Sequence, residues 1–223
     1  MAPPPQEHVV NLCFHGIGTP ERPLEPGEAQ YWIDERTYLD ILDVVSDRLD
    51  VRLSFDDGNA SDVAIGLPGL LERGLNAEFY VLAGRIGEPG SLTADEVRAL
   101  QSAGMTIGSH GWHHTSWRDA RGDRIDAELV GARTTIADIV GRPVTVAACP
   151  LGLYDRRVLG ELRRHGYTKV MTSDRAVARS GSWLQPRFSV RAGDDAAYVA
   201  ALLGEPRRPA WSSRARILAK SLR

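Results

Sequence analysis

Leu53-Ser54-Phe55-Asp56-Asp57-Gly58-Asn59 places two acids and a glycine directly behind a short apolar run that begins at Val51. The run from Val51 to Phe55 has the length and composition of a buried strand, so the two carboxylates stand at a strand end. Adjacent aspartates repel each other and are rarely both needed there for folding. On an extended backbone, successive side chains project to opposite sides, so each carboxylate can take its own task. Asp, Gly and Asn also favour turns, so the stretch taken alone fits a plain connection equally well.

Similar runs recur on both sides of it. Residues 9–14, 51–55, 77–81, 106–109, 144–148, 168–172 and 188–190 read as strands. Between them, residues 37–45, 62–72, 94–103, 124–140, 156–165 and 196–203 carry helical periodicity. Thr93-Ala94-Asp95-Glu96 has the pattern of a capping box, and Gly104 and Gly166 follow two of the helices as stops. Seven strands alternating with six helices predict a parallel sheet wrapped by helices. The expected fold is α/β, a distorted (β/α)7 barrel of the TIM-barrel-like kind over residues 1–206. An open nucleotide-binding sheet loses its main support, because neither GxGxxG nor a P-loop follows the first strand.

The 223 residues, 43% hydrophobic and 25% charged, suffice for one domain with a sizeable core. With 27 basic and 29 acidic residues the formal charge is -2, which gives no electrostatic ground for nucleic-acid binding. Cys13 and Cys149 sit in apolar stretches without metal-type spacing and read as reduced core thiols. The start, Met1-Ala2-Pro3-Pro4-Pro5-Gln6-Glu7-His8, lacks the basic and apolar regions of a secretory signal. No stretch nears the roughly 18 apolar residues of a membrane span, so a cytoplasmic location is the expectation. Residues 16–30 are rich in Pro, Gly and Glu and follow the first strand, where barrel enzymes place substrate loops. The basic C-terminal tail, residues 207–223, holds six Arg/Lys and no acid, with Trp211, Ile217 and Leu218 interspersed. It reads as a solvated terminus, the alternative being a weak contact with a membrane surface or a partner.

A second polar cluster follows the strand at 106–109: His110-Gly111-Trp112-His113-His114. His110 and His114 are four residues apart, which on one helical turn sets both imidazoles on one face. Two neutral imidazoles and one carboxylate form a three-ligand set with an open position, the pattern of a hydrolytic zinc site. His113 points elsewhere at this spacing. For this segment alone, surface-loop histidines are the competing reading. Both polar clusters lie just past strand ends, where a barrel gathers its loops.

On these segments the chain resembles the polysaccharide deacetylases of the NodB-homology group, carbohydrate esterase family 4. Ser54-Phe55-Asp56-Asp57-Gly58 matches the first motif of that family, and His110 to His114 the second. Its third motif is partly matched by Ala148-Cys149-Pro150-Leu151-Gly152-Leu153-Tyr154-Asp155, followed by Val158, Leu162 and Gly166-Tyr167. The resemblance runs from about Val9 to Val190 and implies a NodB-homology barrel. It also implies that Asp57, His110 and His114 bind a divalent metal, zinc by ligand type. Asp56 would act as general base, and the backbone N–H of Leu151 would help to stabilise the oxyanion.

The chain departs from the family pattern twice. An arginine of the third motif usually orients the base, and Ala148 stands at that position. The late leucine–histidine motif, source of a general acid, has no match, since no histidine follows His165. His165 ends a helix, where a cation suits the dipole, and reads as structural. His15, at the end of the first strand, and Arg187, in Gln185-Pro186-Arg187-Phe188, are the candidates for the two vacant roles. A loop-anchoring histidine and an ordinary ion pair are the alternatives for them.

The resemblance thus implies a metal-dependent hydrolase that removes an N-acetyl group from an amino sugar or polysaccharide precursor. Its partner would be an N-acetylated carbohydrate. Two other readings use the same residues: hydrolysis of a non-sugar C–N bond, and a carbohydrate-binding or regulatory protein with little turnover. Trp112, Trp117 and Trp183 are candidates for stacking on a sugar, with ordinary packing as the alternative.

Overall fold

The computed structural model describes residues 7–204 and 211–222. Its main sheet contains eight parallel strands: β1 (His8–Phe14), β2 (Val51–Asp57), β3 (Ala77–Val81), β4 (Thr106–Ser109), β5 (Val146–Ala148), β6 (Lys169–Thr172), β7 (Leu184–Pro186) and β8 (Phe188–Ser189). They follow the order β7-β6-β5-β4-β3-β2-β1-β8, and Ala178–Arg179 adds a short antiparallel pairing to β1. Strands β7 and β8 are separated by Arg187 alone, yet β7 pairs with β6 and β8 with β1. One extended segment therefore joins both edges of the sheet and nearly closes the barrel. The N–H of Arg187 donates to the Thr172 carbonyl (2.9 Å) and that of Val190 to the Cys13 carbonyl (2.8 Å) along this seam. The expected strand at 188–190 is the second half of the segment. The first half escapes a reading by pattern because Pro186 lacks an N–H and Gln185 is polar, features that demote a strand.

The register explains the two faces of the barrel. Leu12, Leu53, Phe79 and Ile107 share the outer face, and Phe55 stacks on Phe79 with ring centroids 4.5 Å apart. Helices cover this face, contributing Tyr38, Ile41, Leu42, Leu70, Val97, Leu100 and Ile136 to one apolar core. The inner face carries Cys13, Ser54, Asp56, Tyr80 and Gly108. Buried polar groups are tolerable only with partners. Asn11 accordingly donates to Gln185 Oε1 (3.1 Å) and to the Pro186 carbonyl (2.9 Å). Gly108 is required by space: a Cβ there would lie 2.5 Å from the Tyr80 ring.

The expected helices are present as Glu35–Val45, Leu67–Glu72, Ala94–Ser102, Ala132–Val140, Arg156–Arg164 and Ala196–Gly204. Two of them are preceded by a wider π turn, Asp62–Gly66 and Ala127–Gly131. The Thr93–Glu96 capping box is formed, and Gly104 and Gly166 take positive φ beyond their helices. Cys13 and Cys149 are free and buried, and burial pushes the Cys149 thiol up to about 12.

The described side chains of the tail are exposed or half-buried. Trp211–Leu222 is helical, and Lys220 turns inward: its Nζ donates to Asp174 Oδ1 (2.6 Å) and lies 5.2 Å from the centroid of the Tyr154 ring. Arg207, Arg208 and Arg223 lie outside the described residues. No described helix is long and apolar enough to cross a membrane.

Candidate functional site

A cavity of about 230 Å³ opens at the carboxyl ends of the strands. His15, Asp56, Asp57, His110, His114, Leu151 and Ser189 line it, together with residues from the loop at 16–30.

Strict alternation along β2 would turn Asp57 away from Asp56. Instead Asp57 takes φ 76°, a left-handed conformation that swings its carboxylate inward, with Gly58 at φ 70° completing the turn. Asp57 is 1% exposed, and neither of its carboxylate oxygens has a hydrogen-bond partner among the described residues. His110 Nε2 and His114 Nε2 each lie 3.5 Å from Asp57 Oδ1, and one donor atom from each of the three residues falls within 4.8 Å of the others. Orphaned carboxylate oxygens facing two imidazole nitrogens fit a cation, and this oxygen–nitrogen set suits zinc. Both rings are braced from behind. His110 Nδ1 meets the Ala148 carbonyl (2.9 Å), and His114 Nδ1 meets Glu25 Oε2 (2.6 Å). Each contact leaves Nε2 as the free ligand nitrogen.

Charge in the site follows burial and neighbours. Burial pushes the Asp57 carboxyl up, but the imidazoles of His114, His15 and His110 outweigh it and hold the group below its usual range. Burial pushes His110 down, only partly opposed by Asp56 and Asp57, which favours the neutral ring, the form able to ligate a cation.

The histidine pair does not sit on a helical turn, contrary to the expectation. Residues 110–116 form a loop in which Gly111 (φ 88°) and His114 (φ 53°) bend the backbone until the two rings stand 5.4 Å apart. Glu128 holds that loop from beneath: its Oε2 accepts from the N–H of Trp112 (2.7 Å) and from Trp117 Nε1 (3.3 Å). A Cβ on Gly111 would collide with this carboxylate. His113 points outward onto Glu128 Oε1.

Asp56 meets Arg187 through two parallel hydrogen bonds, Nη1 to Oδ1 (2.7 Å) and Nη2 to Oδ2 (2.6 Å), and Nη1 also reaches Ser54 Oγ (3.1 Å). Burial would push the Asp56 carboxyl up, but Arg187 first, then His110 and His15, hold it well below the usual carboxylate range. His15 stacks on Tyr31 with centroids 4.8 Å apart, and its Nδ1 is buried without a partner among the described residues. A nitrogen of His15 comes within 4.8 Å of the Asp56 carboxylate. Leu151 sits in the turn Pro150–Gly152 at φ 58°, at the cavity edge. His165 caps the helix Arg156–Arg164, away from the site. Of the three tryptophans, Trp117 is fully buried and Trp183 packs in the same cluster, while Trp112 leans on the outer core. None of them lines the cavity.

Two contributors carry no signal in the sequence. Glu25 lies inside the loop at 16–30, and Glu128 inside a helix. Each meets its histidine loop only through the fold, so no local spacing marks it.

A helix-wrapped barrel with an Asp–His–His cluster and a second, arginine-paired aspartate on its rim has the architecture of the NodB-type deacetylases. Residues 45–170, more than half of the chain, match the family model described as polysaccharide deacetylase, and the chain belongs to that family. It is 22% identical over 141 residues to the putative polysaccharide deacetylase YxkH of Bacillus subtilis (strain 168), covering 63% of this chain and 50% of the relative. The chain thus spans about half the length of that curated relative. Among solved structures it resembles the Streptococcus pyogenes deacetylase PplD in complex with acetate, at TM-score 0.78 and 18% identity, over 89% of this chain and 99% of that one. A family 4 carbohydrate esterase from Bacillus anthracis aligns at TM-score 0.50 and 20% identity, over 77% of this chain and 78% of that one. At these identities the structures establish the shared fold.

Proposed function

We propose that this chain hydrolyses the N-acetyl group of an amino sugar or a polysaccharide precursor in a metal-dependent reaction, releasing acetate and the free amine. The observation that carries this reading is the buried, unpartnered Asp57 carboxylate facing two braced imidazole nitrogens beside Asp56. A divalent cation, zinc by ligand type, held by Asp57, His110 and His114 would acidify water and polarise the acetyl carbonyl. Asp56, kept ionised by Arg187, accepts the proton of the attacking water and, being a weak base there, passes it on readily. His15, on the rim beside Asp56, is placed to pass a proton to the departing amine. The Leu151 N–H serves the developing oxyanion, where one such donor is worth about 3 kcal/mol.

Arg187 and His15 bear on the reading of a binding protein without turnover. Loss of the motif arginine and of the late histidine would favour such a protein, but an arginine and a histidine from other elements lie at the site. The test is acetate release from N-acetylglucosamine oligomers, with and without a chelator. Chelator-sensitive release restored by zinc supports the reading. A purified, folded protein that binds zinc and releases no acetate from any N-acetylated sugar sinks it.

A further inference from the structure

We propose that Glu25 is a positioning residue of the metal centre and couples cation binding to the order of the loop that walls the cavity. This rests on the metal-dependent reading above. Glu25 Oε2 lies 2.6 Å from His114 Nδ1, the nitrogen that faces away from Asp57, while Oε1 is held by Arg85. A carboxylate on the far nitrogen of a ligating imidazole fixes the ring, keeps the proton on that nitrogen and makes the opposite one a better donor. The two histidines differ in how they are braced. His110 leans on a carbonyl of β5, a barrel strand, whereas His114 leans on a loop.

That loop is tied back to the same centre by a second route. Glu28 Oε2 accepts from the Glu25 N–H (2.8 Å), and its carboxylate pairs with Arg22. Arg22 Nη2 in turn donates to Asn59 Oδ1 (2.8 Å), two residues beyond Asp57. The path Asn59–Arg22–Glu28–Glu25–His114 thus starts and ends beside metal-ligating positions. The same loop lends Pro26, Gly27 and Gln30 to the cavity wall. With 39% of its side chain exposed, Glu25 competes with water for His114. With a cation held on Nε2, the His114 Nδ1–H would become a stronger donor to Glu25, and the loop would be held more firmly against the cavity.

The test titrates zinc into the metal-free full chain against a chromogenic chelator and follows hydrogen exchange of the amides at 16–30. Glu25→Ala is expected to weaken zinc binding about 10- to 100-fold, with Glu25→Gln, which keeps one acceptor oxygen, losing less. Zinc should slow loop exchange in the wild type and leave it unchanged in Glu25→Ala. Arg85→Gln frees only the other Glu25 oxygen and should weaken zinc measurably but less than Glu25→Ala does, a check that does not depend on how well Glu25→Ala folds. Zinc affinity of folded Glu25→Ala within about twofold of wild type, or wild-type loop exchange indifferent to zinc, overturns the proposal while leaving the metal site standing. A wild-type chain that takes up no zinc overturns both.

Discussion

Arg187 grips Asp56 from the seam of the barrel, with each terminal guanidinium nitrogen on its own carboxylate oxygen and both side chains out of reach of solvent. Ala148, which stands where the family resemblance aligns an orienting arginine, instead braces His110 through its carbonyl. A planar fork fits a carboxylate in a way that an ammonium cannot. The orienting charge for Asp56 therefore comes from the junction of β7 and β8.

Arg187→Ala strands a buried carboxylate and should lower stability by about 3–5 kcal/mol in urea unfolding, with acetate release lost. Arg187→Lys should recover part of the stability but stay at least about tenfold below wild type in kcat/KM, because one point charge cannot hold both oxygens. Wild-type unfolding of Arg187→Ala would show that the pair is not what keeps Asp56 in place.

Asp56→Asn keeps an acceptor for Arg187 but removes the base. Turnover should fall about 10²- to 10⁴-fold while one equivalent of zinc still binds. His15→Ala should likewise lose turnover with its melting curve and zinc content unchanged, whereas His110→Ala should lose zinc. Activity near wild type in Asp56→Asn would remove that residue from the chemistry.

Asp62 opens the helical run behind β2, is 1% exposed, and has no hydrogen-bond partner for either carboxylate oxygen among the described residues. Burial first, then the charges of Asp57 and Asp56, push its carboxyl well above the usual value. A raised folded-state pKa means that the native protein holds a proton the unfolded chain releases. The contribution is complete below pH ~4 and is lost at about 1.4 kcal/mol per pH unit until the folded-state value is reached. Asp62→Asn should therefore raise the Tm at pH 7 and leave it nearly unchanged at pH 3.5. Equal shifts at the two pH values would contradict this.

Lys220 supplies a cation to Asp174, whose side chain is fully buried and also accepts from Tyr154 Oη and Thr172 Oγ1, each at 2.7 Å. Lys220→Met should cost about 1–3 kcal/mol and expose the Trp211–Leu222 helix to protease. It should also reduce kcat more than KM, since Lys220 Nζ lies 3.4 Å from the Gly152 carbonyl, beside Leu151. Unchanged proteolysis would mean that the helix is held by something else.

The parts of the site written contiguously were legible in the sequence. Asp56-Asp57-Gly58 announces a strand end, and two histidines four apart announce a shared target. The means by which they meet was not legible: alternation along β2 misplaces Asp57, and helical spacing misdescribes the loop from His110 to His114. Both are set by positive-φ backbone, which the fold around them stabilises and a local pattern does not reveal. Arg187 could be nominated for the guanidinium that the family resemblance leaves vacant, but its fork on Asp56 depends on β7, a strand that Pro186 conceals. Glu25 contacts a residue 89 positions away, and no spacing rule reaches that far.

Because the segment that closes the barrel also bears Arg187, closure and the tuning of Asp56 are one event. A nascent or truncated chain that ends before residue 184 holds Asp57, His110 and His114 but lacks the counter-charge for Asp56. On the metal-dependent reading, such a fragment would carry the three candidate ligands without the guanidinium that holds Asp56 ionised. On the proposed reading, competence would wait for the strand that carries Arg187, however complete the rest of the rim.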